Sequence, residues 1–444
     1  MNIDHSMNRT IIRLASPVMI GMISHTMIQI VDTAMVGRLG VEQLASVGLG
    51  SLFIHVTVLV FGSLNVGTQA ITARRLGERR LEEYPRIVLN TLVLALAVGI
   101  PVSFIGYILS PRIFSALSTD PAIVRDGIAY LCIRFSGLFC VIAMWALSGF
   151  TYGVARVKID MIVSIAVNAC NILLNYLLIF GHAGLPRLEV RGAAIASVMS
   201  TALGLLLYIF LIHFRILRRL PAPLPRPRVS KTLIGKIIRI SGPRAVQSVT
   251  IVGFLVFLSL IGRIGTAALA ISNIIMKAFD FSFMIGLSIG AASATLVGRS
   301  LGERNAALAA RYGWHCVGIG VLSMGIIGAS FIFLPREIMG IFTNDRAAIE
   351  MGVAPFRLLG AFQCVDAVGI IFSRTLQGIG STLYVMIAEM ICMGGVLVPV
   401  AYASIEVFHA GLLVAWCAIY LYTICFAFAM AWKFREGGWK KIEI

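Results

Sequence analysis

Twelve apolar runs constrain this chain more than any other feature. They lie near residues 12–35, 47–72, 87–110, 124–150, 160–181, 192–214, 239–261, 270–297, 312–333, 350–373, 383–404 and 410–432. Each is about 20–28 residues long, and a helix needs about 20 apolar residues to cross the hydrocarbon core of a bilayer. Of the 444 residues 59% are hydrophobic and only 13% charged. The charged share is about half that of a soluble domain, and water would leave the apolar surface uncovered. The expected fold is an all-α integral membrane protein with twelve transmembrane helices. The first run is too long for a cleavable signal and lacks a small-residue cleavage site, so it is expected to remain as a span. The eight cysteines all fall inside expected spans and no CxxC occurs, so they read as packing residues, not as disulfides or a zinc site.

A net charge of +17 invites a nucleic-acid partner, but the placement of the charge argues against one. With the amino terminus inside, twelve spans put 24 basic loop residues in the cytoplasm and only 8 on the opposite side. This is the positive-inside bias, with both termini cytoplasmic. The basic loops also suit the anionic headgroups of membrane lipids.

The phrase "RRLGERR" at 74–80 returns as "RSLGERN" at 299–305, a shift of 225 residues. "GRLGVEQLA" (37–45) returns as "GRIGTAALA" (262–270), and "FTYGVARVKIDM" (150–161) more weakly as "TLQGIGSTLYVM" (375–386), at the same shift. One offset for three phrases means a duplicated unit. Each copy holds six spans, an even number, so the two six-helix bundles are related by an internal parallel repeat. The expected organisation is an amino-terminal bundle over 1–215, a cytoplasmic linker over 216–236 and a carboxy-terminal bundle over 237–444. Prolines and basic residues in "ILRRLPAPLPRPRVSKTLIGK" make that linker stiff and extended. The glycine of "RRLGERR" is expected at a helix C-cap.

"LASPVMIGMISHTMIQIVDTAMVGRLGVEQLASVGLG" (14–50) resembles the opening of the multidrug and toxic compound extrusion (MATE) transporters, and "ISGPRAVQS" (240–248) with "GRIGTAALA" resembles the start of that family's second half. The match is bacterial in type, like NorM or DinF, and runs essentially end to end. The resemblance implies a bacterial inner-membrane antiporter, functional as a monomer, without a cofactor. It would export organic cations or amphipathic drugs in exchange for protons, or alternatively for sodium ions.

Acidic residues inside spans are costly, and functional by default. Four lie well inside: Asp32, Asp280, Asp366 and Glu389. His25, Gln29 and Asp32 recur at i, i+4 and i+7 on one helix face, a polar stripe suited to a cavity wall. The resemblance makes Asp32 the first-helix carboxylate that binds the coupling ion. It sets Asn171, Asn175 and Ser197 near it, with asparagine at 175 where many relatives carry aspartate. Asn168, Asn171 and Asn175 share a face, and their amides suit either a hard cation or interhelical hydrogen bonds. Asp366 corresponds to an acid implicated in cation binding in the NorM-type branch, but the branch's seventh-span glutamate is absent between 238 and 261. Asp32 or Asp366 would hold the metal if sodium were the coupling ion. Substrate contacts are expected from Gln29, His25 and Asp366, with Asp280 and Glu389 as possible compensating acids. Lys277, three residues before Asp280, offers that acid a purely structural partner. Met35, Phe257, Met276, Phe279, Phe281 and Phe283 are candidates for the cavity wall, although lipid-facing or packing roles suit most such positions better, and His55 is a polar partner or, in preference, a packed residue. A flippase for a lipid-linked precursor is the alternative within the superfamily, and no Walker or HExxH motif suggests an enzyme.

Overall fold

The structure, a computed structural model, describes residues 2–221 and 226–442. The linker positions 222–225 lie outside the described residues. Helices follow one another without strands in the described chain: α1 (Asn2–Gly37), α2 (Val41–Phe61), α3 (Leu64–Gly77), α4 (Tyr84–Leu117), α5 (Pro121–Ser136), α6 (Leu138–Gly153), α7 (Lys158–Phe180), α8 (Glu189–Arg215) and α9 (Lys231–Gln247), then α10 (Thr250–Ile264), α11 (Thr266–Gly302), α12 (Ala306–Phe333), α13 (Pro335–Gly340), α14 (Arg346–Gly378), α15 (Thr382–Cys392), α16 (Val398–Tyr402) and α17 (Leu412–Glu436). Among the described residues eleven helices, some continuous across two of these elements, are long and apolar enough to cross a bilayer. The pair α5–α6, bent by 46°, makes the twelfth. Helix is the form expected in hydrocarbon, where each backbone N–H and C=O must be satisfied within the segment.

The duplication is visible in backbone detail. In the first copy Glu78 N–H, Arg79 N–H and Arg80 N–H donate to the carbonyls of Arg74, Leu76 and Arg75. In the second, Glu303, Arg304 and Asn305 donate in the same way to Arg299, Leu301 and Ser300. Arg79 and Arg304 both stand at φ 57°. The glycine of the phrase therefore does not cap: Gly77 closes the helix, and the following arginine takes the left-handed position, an uncommon conformation for a side chain with a Cβ. Gly40 (φ 142°) and Gly265 (φ 154°) repeat at the same spacing. Gly153 and Gly378 do too. A Cβ at these two would come within 2.5 Å of Thr72 Cβ and 2.3 Å of Ala294 Cβ, so each lets two helices approach closely.

The chain divides into two compact units. One is Pro17–Ala245; the other is Val246–Ile444 with Met1–Ser16. The crossings fall at Pro17 in α1 and beside Pro243 in α9. A proline inside a helix removes one backbone hydrogen bond and loosens the helix where it stands. Within the first unit, Asn90 pins the end of the linker: its amide donates to the Arg228 carbonyl (2.9 Å) and accepts from the Ser230 N–H (2.6 Å). Both contacts are to backbone.

Within the second unit aromatic rings pack among the aliphatic side chains of the core. Phe257 is fully buried and packs edge-on against Trp416, with centroids 5.8 Å apart. Of the two roles open to it, cavity wall or packing, Phe257 thus takes packing, because its stripe on α10 faces α17. The helix that begins as α15 continues through two π-helical turns, Met393–Leu397 and Ala403–Val407, around α16. Such turns are rare and often mark functional positions. Because Glu42 and Ala267 occupy one position of a parallel repeat, single cysteines placed at them should be modified by an impermeant thiol reagent from the same membrane face. Modification from opposite faces would contradict the parallel arrangement.

Candidate functional site

In the first unit, α1 and α7 run side by side in the same direction. Asn168 Nδ2 donates to Ser24 Oγ (2.6 Å), and seven residues further along α7 Asn175 Nδ2 donates to Asp32 Oδ1 (2.6 Å). The asparagine face therefore meets the polar face of α1. Asn175 also donates to Asn171 Oδ1 (3.0 Å), and Asn171 Nδ2 reaches Ser197 and Ser200 on α8 at 3.4 and 3.3 Å. With its amide turned over, Asn171 donates to Asp32 Oδ1 at 3.0 Å and accepts from the Ser197 N–H at 3.2 Å. Either way Asp32, Asn171, Asn175 and Ser197 form one cluster. Among the described residues Asn175 Oδ1 is buried without a hydrogen-bond partner. Within the first unit His25 and Gln29 are exposed and Asp32 is half-buried.

Two charged groups of this unit escape a reading of loops and mid-span acids. Arg134 stands in the last turn of α5 with its guanidinium carbon 6.0 Å from the centre of the Tyr130 ring. It is the main positive charge acting on Asp32, and it also acts on His25 together with His55. The positive-inside count passes over it because it lies within a span; an arginine in an apolar run was itself the signal. Asp160, at the start of α7, accepts from Tyr152 and Tyr208, at 2.7 Å each, and Tyr208 is bonded in turn to Thr151. Its position at a span boundary made it look like a loop acid.

The second unit holds the remaining acids. Asp366 on α14 is buried and hydrogen-bonded with Thr423 on α17. Glu389 on α15 accepts from Gln247 and from Thr250 (3.2 Å). Gln377 donates to Gln247 (2.9 Å), and Arg374 donates to Gln377 (3.4 Å). Arg374 thus heads a polar chain through Gln377 and Gln247 to Glu389. Tyr422 lies in the field of both Glu389 and Asp366. Asp280 stands apart: it pairs with Lys277 at 3.3 Å, and its side chain is half exposed. That pairing on one helix face is the structural partnership the spacing of the two residues allows.

The sequence profile of the MatE family matches residues 17–177 and 243–403, once for each copy of the repeat. The chain is 28% identical to the multidrug resistance protein NorM of Burkholderia vietnamiensis, over 95% of this chain and 92% of the relative. It is also 28% identical to a probable multidrug resistance protein NorM of Thermotoga maritima, over 98% and 93%. Its fold matches a MOP superfamily transporter from Pyrococcus furiosus (TM-score 0.87, 21% identity, 98% of this chain and 97% of that one). It likewise matches a MATE protein crystallised in a straight conformation (TM-score 0.88, 22% identity, 98% and 97%). Two profile matches that together span more than half of the chain, on a twelve-span repeated fold, make this protein a member of the MatE family of membrane transporters.

Proposed function

We propose that the chain is a secondary antiporter that exports cationic or amphipathic organic compounds in exchange for protons. The observation that carries this reading is Asp32, a carboxylate inside a spanning helix, held by the neutral amide of Asn175 on the helix face that also carries His25 and Gln29. An acid inside a span is costly to keep there and marks an ion or substrate pathway. The names of the NorM relatives support a drug-like substrate class. Bacterial relatives and the excess of basic loop residues support an inner-membrane protein with both termini cytoplasmic. Since one chain carries both copies of the repeat, a monomer suffices.

Proton and substrate need not share an atom. They need only prefer different conformations, since a ligand shifts an equilibrium by its differential affinity. Sodium coupling is the second reading. Asn175 Oδ1, buried beside Asp32 without a donor, is the kind of oxygen a hard cation takes. One feature favours the proton: residue 175 brings no second carboxylate. Asp366 would chiefly attract the cationic group of the substrate. A flippase for a polyanionic headgroup is disfavoured, because Asp32, Asp366 and Glu389 would repel it.

Transport in proteoliposomes under separately imposed proton and sodium gradients tests the coupling. A proton gradient should drive efflux, and Asp32→Asn should abolish that efflux while leaving substrate binding measurable. Asp32→Asn protein that still couples efflux to protons would sink the assignment, and a response to sodium alone at fixed pH would replace it. Asp366→Asn should weaken binding of organic cations by about tenfold while neutral amphiphiles bind nearly as before. Equal losses for both would show that Asp366 acts only through the fold.

A further inference from the structure

The carboxylate of Asp160 takes no part in the exchange described so far. It stands in the first turn of α7, where Tyr152 on α6 donates to its Oδ2 and Tyr208 on α8 donates to its Oδ1, each at 2.7 Å. Among the described residues it makes no ion pair, and these two phenols are the titratable groups that α6 and α8 turn towards it. From α1 it is faced by Gly21: a Cβ at that glycine would stand 3.7 Å from both Asp160 Oδ2 and Ser164 Oγ. On its own helix Lys158 lies two residues before it and is exposed, as is Arg156 in the preceding turn.

Two features of this acid fit a group that gains and loses a proton. The first is its hydrogen bonding. Ionised, Asp160 accepts from both phenols. Thr151 Oγ1 donates to the Ser148 carbonyl (3.0 Å) and lies 3.1 Å from Tyr208 Oη, so it can accept from Tyr208. Protonated on Oδ1, Asp160 donates to Tyr208 Oη, and Tyr208 turns its own hydrogen to Thr151. Each state is satisfied without moving a heavy atom. The second feature is its place. Asp160, Ser164, Asn168, Asn171 and Asn175 follow at i, i+4, i+8, i+11 and i+15, one polar residue per turn on a single face of α7. The facing side of α1 brings Gly21 to Asp160 and Ser164, Ser24 to Asn168 (2.6 Å) and Asp32 to Asn175 (2.6 Å). A polar seam thus runs between the two helices from Asp160 to Asp32, along about 22 Å of helix.

We propose that Asp160 passes the coupling proton between Asp32 and the cytoplasm, through water ordered along the α1–α7 seam. This rests on the proton-antiport reading and deepens it. In the proposed topology the amino end of α7 faces the cytoplasm. When Asp32 discharges, its O–H bond breaks, the proton moves along the seam from water to water, and an O–H bond forms at Asp160. Asp32 is left as the carboxylate, and Asp160 then gives the proton to bulk water at the start of its helix. Hydroxyls and amides one turn apart supply such water with its hydrogen-bond partners. Asp32 keeps the proton and Asp366 the substrate, so the division between them is unchanged.

The test compares two modes of transport by the full-length protein in proteoliposomes, with radiolabelled ethidium as the trapped cation. Release driven by a proton gradient needs the relay. Exchange against unlabelled ethidium at equal pH moves no net proton and does not need it. Asp160→Asn should slow proton-driven release about a hundredfold and leave exchange within about twofold. The retained exchange doubles as the control for folding. Azide at equal concentration on both faces, a small base that carries protons, should restore part of the proton-driven rate in Asp160→Asn and none in Asp32→Asn. Asp160→Asn protein that keeps its proton-driven rate, or whose loss azide does not relieve, overturns the relay. Gly21→Val leaves the acid in place and decides the matter if Asp160→Asn does not fold. By crowding the seam it should slow proton-driven release more than exchange, and equal effects on the two would overturn the proposal. Unaltered protein that exchanges ethidium yet ignores a proton gradient would instead sink the antiport reading, and the relay with it.

Discussion

Hydrocarbon supplies no water, so a polar group placed within a bilayer must find its partner in the chain. The bond from Asn175 to Asp32, at 2.6 Å, is one place where this protein meets that demand. One carboxylate fixes the facing of two helices. The asparagine face of α7 must turn towards α1, Asn171 must bring the serines of α8 with it, and the remaining face of α1 is left to His25 and Gln29. A carboxylate satisfied by neutral amides alone also retains its charge for a ligand, which a carboxylate neutralised by arginine at contact distance would not.

The repeat preserved the frame and let the chemistry diverge. Turns at 79 and 304 share their hydrogen bonds and their φ, and glycines at 153 and 378 make matching close approaches. Advanced by 225 residues, however, Asp32 becomes Phe257 and Arg134 becomes Leu359, both buried apolar residues of the second unit's core. Helix packing tolerates such exchange because it depends on small residues and close contact, not on the identity of a cavity-facing group. The second unit rebuilt a polar site elsewhere, with Asp366 on α14 and Glu389 on α15, the latter one turn before a π-helical segment. Gln247 and Thr250 supply donors to Glu389 in the stretch where a seventh-span acid is missing.

Much of this was legible in the sequence, for physical reasons. Span length follows from bilayer thickness, and an internal repeat leaves its phrases at one spacing, so both could be read directly. The i, i+4, i+7 stripe of α1 and the asparagine face of α7 could be read because helical periodicity is local. What could not be read was tertiary. Phe257 looked like any aromatic in a span until α17 covered it. Arg134 and Asp160 were hidden by their positions, one among charges treated as topology and one at a helix start. The left-handed arginine at 79 escaped because glycine is the usual choice there.

The central claim is that Asp32 exchanges a proton for a cationic substrate. Proton release on substrate binding tests it most directly, measured with a pH indicator in weakly buffered detergent solution as an organic cation is added to the purified protein. The account predicts that the unaltered protein releases protons as it binds and that Asp32→Asn binds with little or no release. Equal release from both proteins would contradict it and would move the exchangeable proton to another group.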